Sequence, residues 1–127
     1  MELYVTLGAR EPEAAHAFYD KVLATIGWSS HASFPGWRGY SPGGLGKGAT
    51  VWVCAPYNGE EATAGNGTMV AFPAASPAEV DAFYAAAMSL GAKDEGPAGP
   101  RPDYSPTWYA AYMRDATGNK IAVVFNG

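Results

Sequence analysis

The 127-residue sequence predicts an α+β fold built from two tandem β-α-β-β-β modules. Three observations predict it. The tripeptide Ala-Phe-Tyr stands at positions 17–19 and again at 82–84, and a shift of 65 residues that superposes the copies also carries Val5 onto Val70, Leu7 onto Phe72, Pro12 onto Pro77 and Leu23 onto Met88. Sixteen glycines and ten prolines fall in clusters between apolar runs, which implies many turns and therefore many strands. Apolar residues at three- and four-residue spacing follow each copy's first strand, which gives each module one helix.

The first module covers about residues 1–57. Alternation from Glu2 to Leu7 predicts a strand whose Leu3, Val5 and Leu7 face a helix, leaving Tyr4 and Thr6 on the opposite face. Pro12 suits the first turn of the helix that follows, and Ala15, Phe18, Tyr19, Val22, Leu23 and Ile26 make its buried side. Strand-like runs return at Trp28–Phe34, Trp37–Tyr40 and Thr50–Ala55. The second module covers about residues 67–127 and opens with a strand from Thr68 to Phe72, in which Met69 and Ala71 oppose Val70 and Phe72. Ser76 is an apt N-cap, Pro77 the first helical residue, and Glu79 completes a capping box. Val80, Phe83, Tyr84, Ala87 and Met88 form that helix's buried face. Strands near Ala92–Glu95, at Thr107–Arg114 and at Lys120–Phe125 follow, the last two joined by an Asp115–Asn119 hairpin turn. Residues 56–67 and the Gly-Pro-rich stretch 96–106 are irregular and long enough to cover a site. Together the modules are expected to form one domain over residues 1–127.

With 48% apolar and 16% charged residues the composition is that of a compact soluble domain. Eight basic and twelve acidic residues give a net charge of −4, and no Lys or Arg stripe could track a phosphate backbone, so nucleic acid is excluded as a partner. No run approaches the ~20 apolar residues of a membrane span, and the N-terminus lacks the pattern of a secretory signal. A single cysteine, Cys54, excludes an internal disulfide. These features point to a cytoplasmic protein.

The tandem halves, the helix pattern ending AFYDKVLATIGW, the GNGTMVAF strand and the closing GPRPDYSPTWYAAYMRDATGNKI resemble the vicinal oxygen chelate superfamily of glyoxalase I, bleomycin-resistance and extradiol dioxygenase proteins. The D-x-x-G-N-x-I hairpin is the most specific of these motifs. The resemblance spans essentially the whole chain. It implies a curved, half-open mixed sheet with the helices on its outer face, a small-molecule partner and a homodimer.

The resemblance also implies metal-ligand positions, and these are occupied by unsuitable residues. A first-strand ligand position holds Tyr4, its repeat-mate holds Met69, and the position after the hairpin holds Ala122; a fourth falls at Trp52 or Cys54. Tyrosine ligates poorly unless ionised, methionine is a soft ligand, and alanine has no donor. No metal and no other cofactor is therefore expected. His16 reads as a solvated residue on the polar side of the first helix, and His31 as an edge-strand residue more readily than a ligand or base. The carboxylates read as caps, loop residues and polar helix faces. Cys54, on an apolar strand, reads as a buried inert thiol.

With the metal gone, the concave face offers Tyr4, Met69, Trp52 and Ala122, a surface for an aromatic or amphipathic ligand held by shape and stacking. Arg38 and Arg114 are candidate anchors for an anionic group, with Arg101 above them. The parity of the Thr107–Arg114 strand is open: either Trp108, Tyr112 and Arg114 or Tyr109, Ala111 and Met113 face the cavity, and the family's usual pairing would put Met113 opposite Ala122. The leading expectation is a metal-free protein binding an aromatic or anionic small molecule. Its rivals are a lyase, isomerase or dioxygenase of the same superfamily, metal-independent or with other ligands, and a partner-binding domain with a filled cavity.

Overall fold

The computed structural model describes residues 2–127 and has the order β1 (Tyr4–Gly8), α1 (Pro12–Ala24), β2 (Trp28–Phe34), β3 (Trp37–Pro42), β4 (Thr50–Cys54), β5 (Met69–Pro73), α2 (Pro77–Ser89), β6 (Lys93–Pro100), β7 (Trp108–Arg114) and β8 (Lys120–Asn126). Each half is β-α-β-β-β. The 65-residue shift holds to the residue at the starts of the first strand, the helix and the second strand, mapping Tyr4 onto Met69, Pro12 onto Pro77 and Trp28 onto Lys93, and both helices have 13 residues; the later strands, Trp37 against Trp108 and Thr50 against Lys120, lie further apart.

Each module contributes a four-stranded mixed sheet, ordered β1-β4-β3-β2 and β5-β8-β7-β6, in which the first strand runs parallel to the last and the other pairs are antiparallel. The parallel pairing follows from the crossover through the helix. α1 packs on β2 and β4, α2 on β6, β7 and β8, and the helices touch each other. One buried cluster takes Leu7, Tyr40, Val51 and Val53 from the first sheet, Phe72, Ala111, Met113, Ile121 and Val123 from the second, and Tyr19, Val22, Leu23, Val80 and Phe83 from the helices. Trp28 meets Phe72 edge to face at 5.4 Å, so the modules are joined through aromatic packing.

The hairpin motif closes the same junction. Asp115 Oδ1 accepts the backbone N–H groups of Thr117, Gly118 and Asn119, its Oδ2 accepts the Tyr19 hydroxyl at 2.7 Å and Asn119 Nδ2 at 2.9 Å, and Asn119 Nδ2 also donates to the Gly8 carbonyl at 2.8 Å. Burial and the neighbouring carboxylate raise the Tyr19 phenol well above its ordinary pKa.

Four sequence expectations are corrected. Leu3 precedes β1 and is exposed. The stretch 96–106 is not irregular throughout: Gly96–Pro100 continues β6, an edge strand whose register shifts at Gly96 and Gly99 accommodate glycine and proline. His16 is buried and its Nε2–H donates to the Val53 carbonyl at 2.8 Å, because the helix presents 16, 19 and 23 to the sheet together. Arg38 lies on the helix side of β3, paired with Asp20 of α1 at 2.7 Å, and is no part of the opposite face.

Candidate functional site

Alternation along β1, β3 and β4 sends Leu7, Tyr40, Val51 and Val53 into the core and leaves Tyr4, Thr6, Gly39, Ser41, Thr50 and Trp52 on the other face. A cavity of about 540 Å³ lies on that face, lined by Tyr4, His31, Thr50 and Trp52, by Glu2 and Lys47 and by the backbone at Gly46 and Gly48. Trp52 is its aromatic centre. His31 stands edge-on to it at 5.6 Å, Phe34 stacks at 6.2 Å with 21° between planes, and Trp37 lies at 6.3 Å.

His31 reaches this face through a bulge. The β2–β3 register passes from Ser30 opposite Tyr40 to Ala32 opposite Gly39, so His31 is the extra residue and its side chain is re-aimed. The ring then fits because Gly39 has no side chain: a Cβ there would stand 3.0 Å from His31 Cε1 and 3.0 Å from the Trp52 ring. His31 Nδ1 lies 3.0 Å from Ser41 Oγ, which also accepts the Gly46 N–H at 2.9 Å. Ser41 thereby ties the strand to the loop 43–49, whose Gly43, Gly44, Gly46 and Gly48 all have positive φ.

The second sheet presents a separate face. β7 pairs with β8 so that Tyr112 faces Ala122 and Met113 faces Ile121. This settles the parity of β7. Met113 is fully buried in the helix-side core, so the expected Met113–Ala122 pair does not form; the hairpin turn sets the register one residue away. Tyr112 receives a bond from Trp108 Nε1 at 3.2 Å, while the Arg101 guanidinium and Lys120 ammonium lie 5.6 and 5.9 Å from its ring centre. Arg114 is tied to Glu95 at 2.6 Å, and that bond holds the Glu95 carboxyl below its usual pKa. Met69 is half-exposed at the start of β5, and Ala122 is fully buried.

Of the residues expected at one site, then, Tyr4 and Trp52 line the cavity; Met69, Tyr112 and Ala122 belong to the second sheet; Arg38 and Met113 face the helices. Sequence reasoning did not single out Glu2, Ser41, Lys47, Thr50, Phe34 or Gly39. The run Gly43–Gly48 carried a readable signal, four glycines in six residues beside a strand. A smaller depression of about 270 Å³ lies between α1, the end of α2 and the hairpin, but its Asp115 is already saturated by the bonds that hold the modules together.

The donor set does not fit a metal of the superfamily's usual kind. Tyr4, Met69 and Ala122 stand where ligands are implied, and no three His, Cys, Asp or Glu side chains cluster among the described residues. Cys54 is buried, and burial pushes its thiol pKa up, away from a reactive thiolate.

No family model matches the chain, and no curated protein matches it. Among solved structures, a glyoxalase/bleomycin resistance protein from Albidiferax ferrireducens T118 is 33% identical over 98% of both chains, with a TM-score of 0.85. The chain belongs to the glyoxalase/bleomycin-resistance family. More distant structures share the family fold: a glyoxalase-related enzyme from Fulvimarina pelagi, 20% identical over 98% of this chain and 86% of that one with TM-score 0.74, and a lactoylglutathione lyase from Agrobacterium tumefaciens, 22% identical over 97% and 91% with TM-score 0.67. No helix among the described residues is long and apolar enough to cross a membrane.

Proposed function

We propose that this family member is a cytoplasmic, metal-free protein that binds an aromatic or anionic small molecule on the first-sheet face. The observation that carries the reading is Trp52 at the centre of His31, Phe34 and Trp37, beside a cavity of about 540 Å³ whose polar groups include no metal-ligand cluster among the described residues. An aromatic ring laid on Trp52 buries apolar area and gains from ring–ring geometry, while Tyr4, Thr50 and His31 supply a few polar contacts.

β1 and β5 each stand at the edge of a sheet, and on β1 the Gly8 carbonyl at the strand end is taken by Asn119. Pairing of β1 with β5 of a second copy would cover both edges and bring Tyr4 of one chain near Met69 of the other. That arrangement supports a homodimer with the second-sheet face, Tyr112 included, closing the cavity. The enzymatic alternative, a lyase, isomerase or dioxygenase, draws support from the similar structures described as a glyoxalase-related enzyme and a lactoylglutathione lyase.

Protein purified without chelator is to be analysed for metal, sized by light scattering and titrated with 2-naphthoate by calorimetry. The expected result is a dimer with well under one metal per chain, and binding that survives EDTA and is lost in Trp52→Ala. Stoichiometric Ni, Zn, Fe or Mn whose removal abolishes binding would sink the metal-free reading.

A further inference from the structure

His31 is the most constrained polar side chain in the cavity. The β2 bulge re-aims it, Gly39 leaves room for its ring against Trp52, and Gly46, at φ 69°, passes so close that a Cβ there would lie 3.3 Å from His31 Cδ2. Its tautomer follows from Ser41. That hydroxyl is fully buried, and its oxygen accepts the Gly46 N–H at 2.9 Å. Among the described residues its own proton has one acceptor within reach, His31 Nδ1 at 3.0 Å. Leaving a buried hydroxyl proton without an acceptor is costly, since the desolvated donor recovers nothing for the water it lost. Ser41 therefore donates to Nδ1, and the neutral imidazole carries its proton on Nε2, which has no partner among the described residues.

We propose that His31 presents this oriented Nε2–H to the cavity and selects ligands in which an aromatic body carries an oxyanion, with aromatic carboxylates as the chemical class. The inference rests on the small-molecule reading of the cavity and goes beyond it by assigning the selecting group. The rim charges do not provide the selection: the Lys47 ammonium and Glu2 carboxylate both line the cavity, are exposed and cancel in net charge. A fixed N–H donor does provide it, because its bond to an oxyanion is roughly twice as strong as its bond to a neutral oxygen. The same geometry assigns Nε2 a donor's role and removes it as a general base in the resting protein. Ser41 is the positioning residue.

The test compares 2-naphthoate with neutral 2-naphthalenemethanol by calorimetry on the full chain. Wild type is expected to favour the carboxylate by about tenfold or more, the size of one hydrogen bond to a charged group. His31→Ala should remove that preference by weakening the carboxylate several-fold more than the alcohol, which loses only the weaker neutral bond, and Ser41→Ala should reduce it in part. A long-range 15N spectrum of the unliganded protein should show His31 as the Nε2–H tautomer at neutral pH. An Nδ1–H tautomer, or equal losses for both probes in a His31→Ala protein whose melting curve is unchanged, would overturn the assignment. Failure of both probes to bind wild type defeats the small-molecule reading itself and the selectivity with it. Alcohol binding that depends on Trp52 with no carboxylate preference defeats the selectivity alone.

Discussion

Tyr19 shows how one side chain can couple fold to pH. Its phenol is fully buried and donates to Asp115 at 2.7 Å, and desolvation, followed by the Asp115 charge, raises its pKa well above 10.0. The unfolded phenol ionises near pH 10.0 while the folded one stays protonated, so the folded state binds more protons above that point. The stability gained from this is complete below pH 10.0 and is lost as pH rises from there through the folded value. Tyr40, bonded to Asp20 at 2.8 Å and likewise raised by burial, acts in the same direction. Tyr19→Phe is expected to lower stability at pH 7 by about 1.5–3 kcal/mol, the value of a hydrogen bond to a charged group, and to flatten the alkaline decline. Urea unfolding at pH 7 and across pH 9–11 measures both. His16 and His31 teach a related lesson: sequence placed His16 on the surface, whereas it is buried against the Val53 carbonyl, and placed His31 on an edge strand, which β2 is, without showing that its ring is held by the Ser41 hydroxyl.

Among the elements, the two helices were the most legible. α2 has the capping box read from Ser76, Pro77 and Glu79: Ser76 Oγ accepts the Glu79 N–H at 3.2 Å, and Glu79 Oε1 reaches back to accept the Ala75 N–H at 2.8 Å, one residue beyond the usual N-cap partner. α1 shares the proline but starts from Glu11 with no side-chain cap. Ser76→Ala is accordingly expected to cost about 1 kcal/mol, read as a lower urea midpoint at unchanged slope; no change would mean that α2 is held by its packing alone. β7 was legible as a strand but not in its facing. Its alternation is aromatic and apolar on both sides, so Tyr112 and Met113 were equivalent until the hairpin register paired them with Ala122 and Ile121. β6 was partly missed because glycine and proline punctuate it, and an edge strand tolerates both.

For the molecule as a whole, the two modules share one buried core. Trp28 opens β2 in the first module, is 5% exposed, and packs on Phe72 of the second. Trp28→Ala should lower stability by about 3–5 kcal/mol, as for other buried tryptophans, and leave a single cooperative transition by fluorescence and circular dichroism. Two separated transitions would show that each module folds alone. The candidate site depends on the same scale: Trp52 and Tyr4 occupy one sheet, Tyr112, Met69 and Ala122 the other, and among the described residues no strand pair joins the sheets.

By itself the sequence determined the duplication, the two helices with their shared proline, nearly every strand, the family, and the want of His or carboxylate at Tyr4, Met69 and Ala122. These are encoded locally, in periodicity, caps and turns, and the 65-residue repeat states most of them twice. Only the tertiary structure decided which way Arg38, Met113, His16 and His31 point. Facing in a sheet reverses with a single-residue slip, and here the bulge at His31, the hairpin at Asp115 and the rotation of α1 against β4 set it. The packing of α1 on β4 depends on contacts between distant segments, and the bulge and the hairpin act through the strand register they set, which periodicity alone does not state.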